Sequence, residues 1–236
     1  MSSIAAVDAH ALPEPLAPDA IDAPFPVWLV RPGPSPAPAS VALLSDDERH
    51  QAARLRTPAQ RHRNLRVRVT LRALMERISG VPAGVQRYAR NRWGKPMLLG
   101  APDVHFNISY SGDCGIIGIS TEHEIGVDIE RERPVADVSE LTSLCFAEDE
   151  RVDAEQAFLL AWTRKEACLK ALGRGLQIRP DRVRCGCSDA PVTTRLNDAV
   201  VHIVSTRIAN DLNLACAWRR PTGHRSAGSR LQLVSG

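Results

Sequence analysis

Twice along this chain a long segment with helical spacing of apolar residues lies beside shorter segments that alternate like strands, and that order limits the fold more than any other feature. The first segment, SDDERHQAARLRTPAQRHRNLRVRVTLRALMERISG, opens on Ser45, suited to cap a helix, and closes on Gly80, suited to end one. Leu65, Val69, Leu71, Leu74 and Ile78 recur in it near helical spacing, which predicts one or two helices. The second, EDERVDAEQAFLLAWTRKEACLKALGRG, has acids in its first turns, basic residues later and glycines at its end, as one long helix would. Strands are predicted at VWLV (27–30), PDVHFNISYSGD, DRVRCGC, AVVHIVSTRI and LNLACAW, with GIIGIS and EIGVDIE as a hairpin across TEHE. The pattern is α+β.

A chain of 236 residues with 44% hydrophobic residues and a formal net charge of +3 fits a globular protein with one full core or two small ones. The six cysteines include no C-x-x-C, so neither a disulfide framework nor a structural zinc site is expected, and Cys185-Gly-Cys187 reads as two strand or loop thiols. The N-terminus lacks a positive start and its apolar residues are broken by Asp8, His10, Pro13 and Glu14, which argues against a signal peptide. With no long apolar run for a membrane span, a cytoplasmic protein is expected. Nine of the 17 prolines fall in residues 1–40. The expected division is a flexible Ala/Pro-rich arm (1–24), an N-terminal half (25–123), a C-terminal half (124–220) and a flexible tail (221–236). Charge is split between the halves: residues 49–95 hold twelve arginines and Lys95 against Glu76, whereas residues 121–155 hold twelve acids against three arginines. One segment suits phosphate and the other a cation, although two solvated faces that pair with each other would look the same.

In GVDIE (126–130) the strand period turns Ile125, Val127 and Ile129 toward a core and aims Asp128 and Glu130 together from the other face. An exposed hairpin edge would tolerate such a pair. On the second long helix, however, Phe158, Trp162, Glu166 and Leu169 follow helical steps, which puts a carboxylate in the expected apolar stripe. Lys170, four residues on, offers Glu166 an ordinary helix pair but does not explain its alignment with Trp162. Three carboxylates meeting at one spot repel by about 4 kcal/mol per pair at ~4 Å, so a divalent cation is the natural resolution. Oxygen ligands favour Mg²⁺ or Mn²⁺, and magnesium completes its shell with water and substrate phosphate, which suggests a phosphate ester or anhydride as substrate.

Read in order, RWGKP (92–96), FNISYSG (106–112), GVDIE (126–130), CFAEDE (145–150) and WTRKEACLKALGRGL (162–176) resemble the motif series of the 4′-phosphopantetheinyl transferases. The likeness runs from about residue 45 to residue 176. The length resembles that of the two-domain, surfactin-synthetase-activating type, a pseudo-dimeric monomer. That likeness implies two similar α/β halves with pseudo-twofold symmetry, each a mainly antiparallel sheet packed on a long helix. It implies transfer of the phosphopantetheine arm from coenzyme A to a serine of an acyl or peptidyl carrier protein, releasing adenosine 3′,5′-bisphosphate. It makes Asp128, Glu130 and Glu166 the Mg²⁺ ligands, Glu166 the base, directly or through a water on the ion, and Lys170 the partner of the pyrophosphate. Asp128 counts with Glu166 and Lys170 as catalytic. Arg63, Lys95, Asn107, Ser109, Tyr110, Lys165 and Lys170 fall on coenzyme A-binding positions, while Glu150 matches the family's F-x-x-x-E and reads equally as a first-turn helix acid. Lys165 is expected to face solvent. One departure stands out: Tyr110 occupies the family's usual histidine position, and a neutral phenol there leaves the phosphate's charge to nearby arginines.

Other classes make different predictions. A metal-dependent phosphoesterase or nucleotidyl transferase would need similar acids and arginines but would turn over without a carrier protein. A nucleic-acid module would use the arginine-rich segment, yet aromatics are 4% of the chain and no stacking motif interleaves the arginines, so no nucleic-acid partner is expected. A family member that binds coenzyme A without turnover is a third reading, prompted by Tyr110.

Overall fold

The computed structural model describes residues 12–17, 19–152, 154–174, 177–209 and 211–221, with the backbone of 232–233. In chain order the elements are β1 (Val27–Val30), α1 (Pro38–Val41), α2 (Asp46–Ala53), α3 (Pro58–Ser79), β2 (Tyr88–Arg90), β3 (Pro96–Leu98), β4 (His105–Ser111), β5 (Cys114–Ser120), β6 (Glu124–Arg131), α4 (Val138–Cys145), α5 (Glu155–Leu172), β7 (Val192–Leu196), β8 (Ala199–Ile208), β9 (Leu212–Arg219) and β10 (Gln232–Leu233). One antiparallel sheet has the order β1-β5-β4 and another β6-β9-β8-β7, with a small ribbon β10-β2-β3.

Strand alternation turns these sheets into layers. Trp28, Val30, Ile117 and Ile119 pack on Val67, Leu71, Leu74 and Met75 of α3. The opposite faces, Val27, Leu29 and Ile116 on one sheet and Ile125, Val127, Ile129, Leu214 and Cys216 on the other, meet in a second core. Ile203, Val201, Ala215 and Ala217 then pack on Ala167, Cys168 and Ala171 of α5. The result is helix, sheet, sheet, helix, with the long helices outermost.

The first helical segment divides in two because it contains two caps. Ser45 forms a capping box with Glu48, and Thr57 forms another with Gln60, followed by Pro58 in the first turn of α3. Gly80 ends α3 at φ 75°, a conformation that favours glycine. Buried Arg72 fastens the two helices, its Nη2 lying 2.7 Å from Glu48 Oε2.

Three expectations are corrected. GIIGIS and EIGVDIE are not a hairpin: β5 pairs with β1 and β4, and β6 pairs with β9. The two strands cross face to face instead, so closely that a Cβ on Gly118 would sit 2.7 Å from Val127 Cγ1. DRVRCGC forms no strand; after a 3₁₀ turn at Pro180–Arg182 its backbone is bonded by buried side chains of α5 and by Glu150. β7 had no expectation of its own. Finally, residues 12–17 and 19–24 of the expected flexible arm are packed: Leu16 N donates to Val27 O at 2.7 Å, and Ile21 is buried in the core between the sheets. The rest of that arm, and the expected tail beyond Pro221 apart from the β10 backbone, lie outside the described residues.

Candidate functional site

The edge strands β4 and β6 lie side by side and are joined through side chains instead of a backbone ladder. Asn107 Oδ1 accepts from Val127 N at 2.9 Å, and Ser111 Oγ accepts from Arg131 N at 2.8 Å. Alternate polar side chains of β4 thus satisfy the free edge of β6. In sequence Val104, Phe106 and Ile108 alternate with His105, Asn107 and Ser109, the pattern of a half-buried strand, yet these bonds bury Asn107 and Ser109, and Ser111 with them.

β6 presents Gly126, Asp128 and Glu130 to α5. A Cβ on Gly126 would fall 2.1 Å from Ala167 O and 2.4 Å from Ala171 N, so the missing side chain lets helix and strand touch. Asp128 is buried and its Oδ1 accepts from Ser109 Oγ at 2.6 Å and from Lys170 Nζ at 2.6 Å. Its Oδ2 is buried with no partner. Glu130 Oε2 accepts from Ser111 Oγ at 3.1 Å and from Arg133 Nη1 at 3.0 Å.

The α5 stripe differs from its expected form. Phe158 and Leu169 are buried, but Trp162, Glu166 and Lys170, each four residues apart, form a half-open line while their neighbours are enclosed. Glu166 looks into a cavity of about 280 Å³ lined also by Gly94, Lys95, Pro96, Asn107, Leu169, Lys170 and Gly173. Burial raises the pKa of Glu166; Lys170 opposes the shift, and Asp128 and Glu130 add to it. Glu130 is likewise raised by burial and by Asp128, against Arg133 and the Ser111 hydrogen bond. Asp128, Glu130 and Glu166 therefore sense one another, with Lys170 beside them. Among the described residues no three His, Cys, Asp or Glu side chains stand at metal-ligating spacing, and Lys170 reaches Asp128 directly. The expected helix pair between Lys170 and Glu166 gives way to bonds with Asp128, Ser109 Oγ (3.0 Å) and Val127 O (3.3 Å).

The basic half contributes unevenly. Lys95 turns its ammonium inward, donating to Ile125 O and Lys170 O at 2.9 Å each, so it ties the β2–β3 turn to β6 and to the end of α5. Burial lowers its pKa to about 8. Asn91 supports the same junction through Gly173 O at 3.0 Å. Arg63 donates to Gly112 O and stands over the Tyr110 ring at 5.0 Å.

Lys165 is a correction. It does not face solvent: fully buried, its Nζ donates to Glu150 Oε2 at 3.1 Å, Pro180 O at 3.0 Å and Val183 O at 2.8 Å, over the Phe146 ring. All three of its protons are used. Glu150 is its partner, and its other oxygen accepts from Cys185 N and Gly186 N. Arg164, also fully buried, was not singled out from the sequence; it holds Cys185 O, Ser205 Oγ and Ala190 O. Adjacent basic residues on a helix read as exposed, and only the loop wrapped over α5 shows otherwise.

A sequence model of the 4′-phosphopantetheinyl transferase superfamily matches residues 124–217, the segment that carries Asp128, Glu130, Glu166 and Lys170. The protein slr0495 of Synechocystis sp. (strain ATCC 27184 / PCC 6803 / Kazusa), provisionally named a 4′-phosphopantetheinyl transferase, is 34% identical over 171 residues, 66% of this chain and 69% of its own. The chain belongs to the 4′-phosphopantetheinyl transferase superfamily. The 4′-phosphopantetheinyl transferase Sfp of Bacillus subtilis (strain 168) is 30% identical over 149 residues, 60% of this chain and 65% of its own. The 4′-phosphopantetheinyl transferase HetI of Nostoc sp. (strain PCC 7120 / SAG 25.82 / UTEX 2576) is 31% identical over 146 residues, 57% and 62% respectively. The chain thus spans about two thirds of the length of these transferases.

Proposed function

We propose that this chain transfers the 4′-phosphopantetheine arm of coenzyme A to a serine of an acyl or peptidyl carrier protein, with release of adenosine 3′,5′-bisphosphate. The observation that carries the reading is the convergence of Asp128 of β6, Ser109 of β4 and Lys170 of α5 on one point, beside Glu130 and Glu166. Membership of the superfamily supports it.

Mg²⁺ fits the donor set. Asp128 Oδ2 is buried without a partner, and Glu130 and Glu166 offer further carboxylate oxygens near it, a donor set that suits Mg²⁺ or Mn²⁺ over zinc. Asp128, Glu130 and Glu166 are the residues that would hold the ion, which supplies charge neutralisation for the pyrophosphate. Lys170 supplies a cation at the same point and stabilises charge on the departing phosphate. The Lys170–Asp128 pair also fixes the orientation of the Asp128 carboxylate. Glu166, on the half-open line of α5, takes the proton from the carrier serine, directly or through a water.

We read the sheet-and-helix halves, 25–123 and 124–220, as related by a pseudo-twofold axis with the site between them, in a cytoplasmic monomer without nucleic-acid partners. Among the described residues no helix is long and apolar enough to cross a membrane. Incubation with coenzyme A and Mg²⁺, with and without a panel of carrier proteins, tests the reaction. Release of adenosine 3′,5′-bisphosphate only when a carrier is present is expected; equal release without one would point to a phosphoesterase.

A further inference from the structure

One buried donor beside the carboxylates has nothing to bond. β6 and β9 run antiparallel with Asp128 opposite Ala215 and Glu130 opposite Asn213. Glu132 N donates to Asp211 O at 2.8 Å, and the ladder repeats every two residues from there, so Glu130 and Asn213 are a backbone-bonded pair whose side chains stand on one face. That face meets α5: Ala215 and Ala217, the next residues of β9 on it, pack on Ala167, Cys168 and Ala171. Asn213 is 3% exposed, and its Nδ2 is buried with no partner. Polar neighbours in the same layer are engaged. Thr163 Oγ1 donates to Leu159 O at 2.6 Å, Ser205 Oγ accepts from Arg164 Nη1 at 2.5 Å, and Arg207, opposite Asn213 on β8, pairs with Glu132.

An amide donor kept from water without a partner is costly to bury, so it marks a place where an acceptor has still to arrive. Glu130 is that acceptor. Side chains directly opposite on paired strands stand about 5 Å apart at Cβ, which a glutamate spans with one hydrogen bond. Its Oε2 instead takes Ser111 Oγ from the β4 side and Nη1 of Arg133, a side chain 54% exposed. Asp128 shows the finished arrangement: Ser109 and Lys170 hold its Oδ1 and leave Oδ2 free. We propose that Asn213 is a positioning residue of the metal centre, its Nδ2 donating to the Glu130 carboxylate when that side chain leaves Arg133 to face an ion shared with Asp128 and Glu166. Donors behind ligating carboxylates fix their aim, and losing one typically weakens the metal by about 10–100-fold. The inference rests on the transferase reading for the ion alone.

Titration of Mn²⁺ into the full chain with coenzyme A present, the free ion being read by electron paramagnetic resonance, tests it without turnover. Asn213→Leu, close in volume, weakens Mn²⁺ by about 10–100-fold while the melting temperature holds or rises, because an unmatched buried amide has given way to an apolar group. Asn213→Thr, which keeps a donor, retains part of the affinity, and Arg133→Gln, which releases Glu130, does not weaken the ion. An amide that only supports the fold gives the reverse pattern, a lowered melting temperature with Mn²⁺ affinity intact. That result overturns the proposal, as does weaker binding in Arg133→Gln. The two readings fail separately. Asn213-dependent Mn²⁺ binding in a protein that modifies no carrier sinks the transferase reading and leaves the role of the amide, whereas arm transfer with an Mn²⁺ affinity unmoved by Asn213→Leu sinks that role alone.

Discussion

Lys170 Nζ lies 2.6 Å from Asp128 Oδ1, which joins a helix and a strand 42 residues apart in sequence beside the cleft that Lys170 and Glu166 line. The pair is only partly shielded, the lysine side chain being 26% exposed, so its value lies in aim more than in stability. Lys170→Met is expected to lower kcat by about two orders of magnitude, the scale of losing one placed charge in an active site, with a small change in melting temperature. Steady-state transfer rates and a thermal melt on the same preparation check this. A melt collapse with kcat intact in the folded fraction would make Lys170 structural.

Lys165 and Glu150 make the opposite prediction. Removing one partner of a buried, fully bonded pair strands the other charge, at a cost of about 3–5 kcal/mol. Lys165→Met should therefore unfold at markedly lower denaturant, and adding Glu150→Gln should recover part of the loss. The KM for coenzyme A of whatever remains folded should not change; an increase would restore Lys165 to ligand binding.

Gly126 tests the contact between β6 and α5. Gly126→Ala forces a methyl group against two backbone atoms of the helix, so strand and helix must separate, an overpacking cost of about 1–3 kcal/mol. Because Asp128 and Glu130 ride on that strand, kcat should fall together with stability. Normal turnover in the variant would mean that the helix contact does not position the carboxylates.

Lys95 gives a pH signature. Its pKa in the folded chain is depressed to about 8 chiefly by burial, helped by Arg219 and opposed by Glu124, whereas the ordinary lysine value is 10.5. Between those values the unfolded chain binds more protons, so this residue's contribution to stability rises with pH. Denaturant melts at pH 7, 8.5 and 10 should show the unprotonated amine costing less to bury, with wild type gaining on Lys95→Met across the series. A constant difference would contradict an enclosed ammonium.

The sequence displayed what depends on local period and missed what depends on wrapping. Ser45, Gly80 and the body of the second long helix were legible because caps and helical period are local signals, but that helix begins at Glu155, and the acids Glu148–Glu150 expected in its first turns form a separate 3₁₀ turn. Asp128 and Glu130 were legible because a strand's two-residue period fixes their shared face. The β5–β6 hairpin was misread because chain proximity hides a change of sheet, and nothing local tells face-to-face crossing from edge pairing. Burial of Lys165 and Arg164 was illegible for a related reason: their partners are backbone carbonyls of a loop some twenty residues away. Asn107, Ser109 and Ser111 looked wet because alternation reports two faces but not what covers the second.

The central claim, that Asp128, Glu130 and Glu166 form the Mg²⁺-dependent centre of arm transfer, is met most directly by intact-mass analysis of carrier proteins incubated with coenzyme A. Wild type should add one phosphopantetheine arm with Mg²⁺ and none when the ion is chelated, and Asp128→Ala and Glu166→Ala, still folded, should add none in either case. Full transfer by either variant, or by wild type in excess chelator, would contradict the account.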